Sequence, residues 1–219
     1  LREFEVPEPH AGPGEVRIAV RAAAVSPTDT LLRSGARAEM LKDLPVPHVP
    51  GMDAAGVVDE VGEGVDRLAV GDEVMAILLP RLTCGGYAEF VVLPQASVVA
   101  KPANATFAEA STIPMNGLTA QLALDLLALP EGSTLGVTGA AGAFGGYMVE
   151  LAKVRGLRVI ADASEADESL VRSLGADVVV RRGDDVAQRF LAACPDGLDA
   201  IADGSLQAPV LLDAIRDGG

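Results

Sequence analysis

An apolar run, Leu135-Gly136-Val137-Thr138, leads into Gly139-Ala140-Ala141-Gly142-Ala143-Phe144-Gly145, and a helical pattern follows. No other stretch of the chain constrains the fold as strongly. Glycines at this spacing suit a strand that turns sharply into a helix. Gly139 takes the tight turn that a Cβ would oppose, Gly142 lets backbone N–H groups approach a pyrophosphate, and Gly145 lets the helix pack close to the strand. The helix expected over 143–154 aims its positive end at the same place. A second strand over 157–161 and an acidic residue, Asp162, about twenty residues beyond the glycines complete the pattern of a dinucleotide-binding unit. The expected cofactor-binding residues are therefore Gly139, Ala140, Ala141, Gly142, Ala143, Phe144 and Gly145, with Asp162 on the ribose. The competing reading is a glycine-rich packing turn with no ligand.

With 219 residues the chain can bury one large core or two modest ones. Cys84 and Cys194 lie far apart with no C-x-x-C spacing, which points to neither a disulfide framework nor a structural zinc cluster; each reads as a small buried hydrophobe. No apolar run is long enough to span a bilayer, so a cytoplasmic protein is expected. A net charge of −14 without a long block of like charge argues against nucleic acid or an anionic membrane as partner.

Up to about Phe107 the chain reads as β-rich and barrel-like or sandwich-like, with strands expected over 16–25, 56–61, 73–78, 87–93 and 97–100. Val16, Ile18 and Val20 alternate with Arg17, Ala19 and Arg21, which sends one face inward and the charged face to water. Beyond it strands and helices alternate. Helices are expected over 115–128, 143–154, 166–174, 185–193 and 207–215, with strands over 134–138, 157–161, 177–180 and 198–202, which implies a parallel sheet with helices on both faces. The domains are expected at 1–112 and 113–219. A nucleotide fold of the usual six-strand order needs about two more strands than the chain supplies, so the second domain reads as incomplete.

The segments Pro50-Gly51-Met52-Asp53-Ala54-Ala55-Gly56-Val57-Val58-Asp59-Glu60-Val61-Gly62 and Val70-Gly71-Asp72-Glu73-Val74 resemble the signature of the medium-chain dehydrogenase/reductase superfamily. Ala24-Val25-Ser26-Pro27-Thr28-Asp29 looks like the loop flanking that family's substrate cleft. Pro114-Met115-Asn116-Gly117-Leu118-Thr119-Ala120 looks like the lead into its cofactor domain, and Leu174-Gly175-Ala176-Asp177 like the end of its second nucleotide-binding helix. The resemblance implies an α/β architecture, a GroES-like β-rich catalytic domain followed by a Rossmann domain.

Zinc-dependent members carry cysteine and histidine where this chain has Ser26 and Met52, and a hydroxyl and a thioether cannot replace thiolate and imidazole as zinc ligands. His10 and His48 sit in proline-rich loops and read as solvated. The chain thus resembles the zinc-free quinone oxidoreductase and enoyl reductase branch, which implies hydride transfer from NADPH or NADH to a quinone or an α,β-unsaturated carbonyl. Ser26, Thr28 and Asn116 are the polar candidates for the substrate side, with Thr119 joining the cofactor set. Ser26, Thr28 and Asp29 also read as a helix start, Asp53 and Gly56 as architectural, and Tyr87 as packing. On the cofactor side, Asp162 and Asp167 favour NADH by charge, whereas Ser164, Arg181 and Arg182 could receive a 2′-phosphate. The other readings are a nucleotide-binding sensor without turnover and an enoyl reductase module of a multienzyme synthase. A homodimer is expected for a full-length parent.

Overall fold

The computed structural model describes residues 2–36, 38–44, 46–78 and 85–219. Its contacts divide the chain into two compact units, Leu1–Met115 and Asn116–Gly219. The first contains β1 (Glu15–Ala23), β2 (Asp53–Val61), β3 (Glu73–Ile77), β4 (Phe90–Pro94) and β5 (Val98–Ala100), with short helices α1 (Pro27–Ser34), α2 (Ala38–Leu41) and α3 (Phe107–Ala110). The strands form one antiparallel sheet in the order β4-β1-β2-β3-β5. Alternation explains its core: Val16 and Ile18 of β1 are fully buried against Val58, Val74, Ala76, Val91 and Val98. Register shifts between Arg17 and Ile18 and between Val20 and Ala22 put bulges into the β1–β2 pairing, where strands bend and twist more strongly.

The expectation that the charged face of β1 points to water is corrected at Arg17. Its side chain is 11% exposed. The guanidinium makes a forked pair with Asp59, 2.9 Å through Nε and 2.9 Å through Nη2. Its Nη1 donates to Glu8 at 2.7 Å and to the Pro9 carbonyl at 3.0 Å. The same cation stacks 4.9 Å from the centre of the Phe90 ring. Period-two patterning places a residue on a face; it does not reveal that neighbouring strands supply carboxylates to cover it. Arg21, four residues on, is exposed as expected.

The second unit holds a parallel sheet of β6 (Thr134–Thr138), β7 (Arg158–Ala163), β8 (Val178–Arg181) and β9 (Ala200–Asp203) in the order β8-β7-β6-β9. Most of α4 (Pro114–Leu127) belongs to this unit, with α5 (Ala143–Val154), α6 (Glu168–Ser173), α7 (Val186–Ala193) and α8 (Ala208–Leu211). Leu135, Val137, Val159, Ala161 and Ala202 face one core with Leu124, Met148, Val149 and Val171. Ile160 faces the other with Val186, Phe190 and Leu211. Burial of a side chain such as Phe190, fully inaccessible here, stabilises by about 2–3 kcal/mol.

β6 and α5 keep the bounds expected for them, because strand pattern and glycine punctuation agree there. β7 runs on to Ala163, two residues past the expected end, since Asp162 and Ala163 still pair with Val180 and Arg181 of β8. The final helix is shorter than expected. After α8 the chain tightens into a 3-10 turn, Leu212–Ala214, and Ile215 then extends to bridge Leu198.

Asp53, at the start of β2, is 1% exposed and accepts the Met115 N–H at 2.6 Å. Burial, reinforced by the nearby Asp29 charge, pushes its carboxyl up to about 6. A folded-state value above the ordinary one means that the folded protein binds this proton more tightly than the unfolded chain. The associated stability is present at low pH and is lost as pH rises from about 4 to about 6. Asp53→Asn keeps an acceptor for Met115 without the charge. Its unfolding free energy should exceed that of the parent by roughly 1–3 kcal/mol at neutral pH. That gap should close as urea titrations are repeated at falling pH, and a pH-independent gap would refute the assignment.

Candidate functional site

The sheet order places β6 beside β9 although they are not consecutive, so connections leave their carboxyl ends in opposite directions. Ligands in open parallel sheets bind in the crevice at such a switch point. The glycine turn begins there. Gly139 has φ +64°, and a Cβ on it would lie 3.0 Å from the carbonyl of Gly204, in the turn after β9. Gly145 is buried in the first turn of α5, where a Cβ would fall 2.3 Å from the Gly139 oxygen. Helix and turn touch backbone to backbone, which is why this glycine cannot be exchanged without moving one of them.

Gly142 differs. It is the N-cap of α5 with φ −83° and ψ 166°, an extended conformation open to any residue. A Cβ there meets only the Gly139 oxygen, at 3.2 Å. Its N–H donates to that oxygen at 2.9 Å, and the helix ladder begins with Gly146 N–H on the Gly142 carbonyl at 2.8 Å. The N–H groups of Ala143, Phe144 and Gly145 find no backbone acceptor among the described residues. With the helix dipole they make a cradle for an anion. Gly142 and Ala143 are exposed, and Ala141 and Phe144 half-buried.

Thr138, Asp162 and Asp203 stand at the carboxyl ends of three adjacent strands, on the same face of the sheet by register. Thr138 Oγ1 donates to Asp203 at 2.6 Å. Asp203 also accepts the N–H groups of Ser205 (3.0 Å) and Gln207 (2.6 Å), donors that hold its carboxyl below the usual range despite partial burial. Asp162 behaves in the opposite way: it is 3% exposed, and burial raises its carboxyl even though backbone N–H groups of Ala140 and Gly139 pull the other way. The Ala140 N–H donates to Asp162 Oδ1 at 3.3 Å.

Asp162, expected on the ribose, lies within β7 with its carboxylate on the glycine turn. The strand continues past it, so its side chain turns toward the glycine turn and presents almost no surface. Ser164, half-buried, is the polar residue beyond the strand's end. Its hydroxyl donates to Asp167 at 2.6 Å and accepts the Asp167 N–H at 3.2 Å. Arg182 is exposed, its N–H bound to the Ala163 carbonyl at 2.9 Å. Arg181 pairs with Glu165 at 3.7 Å.

In the first unit, Ser26 caps α1 and is 7% exposed. Asp29 reaches back to accept the Ser26 N–H at 2.8 Å and its hydroxyl at 3.1 Å. Asp29 also accepts the Gly51 N–H at 3.0 Å and the Tyr87 hydroxyl at 3.1 Å. Tyr87 is thus more than packing, and burial beside this carboxylate pushes its phenol up to about 12. Thr28 is exposed on the first turn of α1. Asn116, half-buried, and Thr119, exposed, lie on α4 of the second unit.

The histidines are not simply solvated. His10 meets Glu60 at 3.1 Å, and His48 has a buried Nδ1 with no hydrogen-bond partner among the described residues. Cys194 is half-buried with its thiol on the Gly197 carbonyl at 3.2 Å; Cys84 lies outside the described residues. Sequence reasoning missed Asp203, Gly204, and the joining of Asp29 to Tyr87. The Asp203-Gly204 pair at a strand end offered a local signal, whereas Asp29 and Tyr87 are 58 positions apart and carry none.

Residues 12–103 match the family model of the alcohol dehydrogenase GroES-like domain. The chain is 34% identical over 224 residues to the chloroplastic NADPH-dependent alkenal/one oxidoreductase of Arabidopsis thaliana, a match covering 99% of this chain and 56% of that protein. It spans a little over half the length of the first curated relatives it matches. Among solved structures, a NAD-dependent alcohol dehydrogenase superposes with a TM-score of 0.87 at 34% identity, over 99% of this chain and 71% of that one. The quinone oxidoreductase of Coxiella burnetii superposes with a TM-score of 0.84 at 30% identity, over 98% and 68%.

The two helix-side glycines should respond differently to a single methyl. Gly145→Ala forces a carbon into the Gly139 carbonyl and should cost at least about 2 kcal/mol of unfolding free energy. Gly142→Ala should stay within about 1 kcal/mol of the parent. Equal losses in denaturant titrations would contradict the geometry.

Proposed function

Because the chain belongs to the medium-chain dehydrogenase/reductase superfamily, in its quinone oxidoreductase and enoyl reductase branch, we propose that it acts as an NAD(P)H-dependent oxidoreductase on a quinone or an α,β-unsaturated carbonyl. The observation that carries this reading is the cradle at the head of α5, with three N–H groups unclaimed by backbone among the described residues and an exposed Gly142 at the N-cap. That donor set fits a pyrophosphate. Gly139, Ala140, Ala141, Gly142, Ala143, Phe144 and Gly145 hold it, while Thr119, Ser164 and Arg182 contact the rest of the dinucleotide. Asp167 beside Ser164 disfavours a 2′-phosphate and Arg182 favours it, so both NADH and NADPH are accepted.

A reduced nicotinamide, when bound, supplies the hydride. The residues of this chain position the acceptor and keep water away from it, and the proposed substrate-side groups are Ser26 and Thr28 in the first unit and Asn116 in the second. Tyr87 is a poor acid, with a phenol raised to about 12 and its proton already shared with Asp29, so the proton that follows the hydride comes from solvent. No zinc takes part: Ser26 donates its hydroxyl to Asp29, and Met52 offers a thioether where zinc-dependent relatives have imidazole. Among the described residues no helix is long and apolar enough to cross a membrane. A cytoplasmic location and a homodimer complete the proposal.

Oxidation of NADPH or NADH, followed by absorbance with a panel of small quinones and enones, tests the activity. Turnover with at least one acceptor, undiminished by chelator and without about one zinc per chain by elemental analysis, is the expected result. Gly142→Val should fold but bind cofactor at least about tenfold more weakly. Cofactor binding without oxidation by any acceptor would leave a sensor, and unchanged affinity in the valine variant would move the cofactor elsewhere.

A further inference from the structure

The N–H groups of the glycine turn are divided between two directions. Those of Ala143, Phe144 and Gly145 have no backbone acceptor among the described residues, whereas those of Ala140 and Gly142 are spent internally, on Asp162 and on the Gly139 carbonyl. Asp162 is the only side chain shown accepting from the turn among the described residues, and it belongs to a different strand, 22 positions further along. On the opposite side the turn abuts Gly204, whose own turn is held by Asp203. The turn is thus gripped between the ends of β7 and β9. A carboxylate 3% exposed has no face left for a hydroxyl outside the protein, but it can fix which way the Ala140 peptide points. That peptide precedes the cradle by three residues, so its rotation would carry the outward N–H groups with it.

We propose that Asp162 is a positioning residue for the glycine turn, setting affinity for the shared pyrophosphate of NADH and NADPH and taking no part in the choice between them. The inference rests on the reading of the turn as a cofactor site. Other buried polar groups do not carry as much: the Asp29–Tyr87 pair closes on itself, and nothing among the described residues shows what would meet His48 Nδ1.

Dissociation constants for NADH and NADPH, measured by fluorescence titration on the parent protein, Asp162→Asn and Asp162→Ala, test it. Asp162→Ala removes the acceptor and should weaken both cofactors by the same factor, about tenfold, from the loss of one charged acceptor at a buried N–H. Asp162→Asn keeps one acceptor and should recover most of that loss, while the NADPH to NADH ratio stays constant throughout. Amide hydrogen exchange at Ala140 should accelerate in the alanine variant and much less in the asparagine variant; this readout needs no cofactor. If the alanine variant fails to fold, Asp162→Val, which fills the buried space without supplying an acceptor, takes its place in both measurements. A ratio that shifts toward NADPH on removal of the carboxylate would restore Asp162 as a ribose reader and overturn the inference, as would unchanged affinities and exchange. A parent protein that binds neither cofactor would overturn the reading of the site, and the inference with it.

Discussion

The second unit depends on one contact without room for a side chain, that between Gly145 and the Gly139 carbonyl. Because a Cβ would sit 2.3 Å from that oxygen, helix α5 reaches the turn more closely than any other residue pair would permit. That approach seats Met148, Val149 and Ala152 on the sheet, and it leaves the first N–H groups of the helix facing outward. Core packing and the proposed anion cradle are two results of the same close approach. The usual opposition between a stable core and a strained functional site is absent here.

The first unit uses polar groups for a comparable purpose. Asp29 gathers donors from Ser26, Gly51 and Tyr87, so a single buried carboxylate fixes three segments that have little regular structure. Asp53 does the same for the chain at Met115, at an electrostatic cost visible in its raised carboxyl. Each satisfies the rule that buried polar atoms need partners. Both acids lie next to residues that the sequence marks as functional, which is why a motif reading cannot separate chemistry from bracing there.

Much of the fold was legible where two signals coincide. At β6 and α5 an apolar run and glycine punctuation agree, and the bounds follow. At β7 the pattern Val159-Ile160-Ala161-Asp162 suggests a strand ending at its first charge, yet backbone pairing with β8 extends it past Asp162, whose carboxylate takes the Ala140 N–H. A carboxylate in a strand looks like an end only if its partner is solvent; here the partner is a peptide N–H from another loop. Arg17 shows the same limit on the other unit. Tertiary partners decide whether a charge is a surface residue or a fastener, and period and spacing carry no record of them.

The forked pairing of Arg17 reaches beyond the sheet. Residues 2–12 contain no helix or strand, and Glu8 and Pro9 are tethered through this one guanidinium. The guanidinium is itself fixed by Asp59 on β2 and lies over Phe90 on β4. Anything that parts β1 from β2 or β4 therefore also loosens residues 8 and 9, so that segment reports on the state of the sheet although it belongs to no strand.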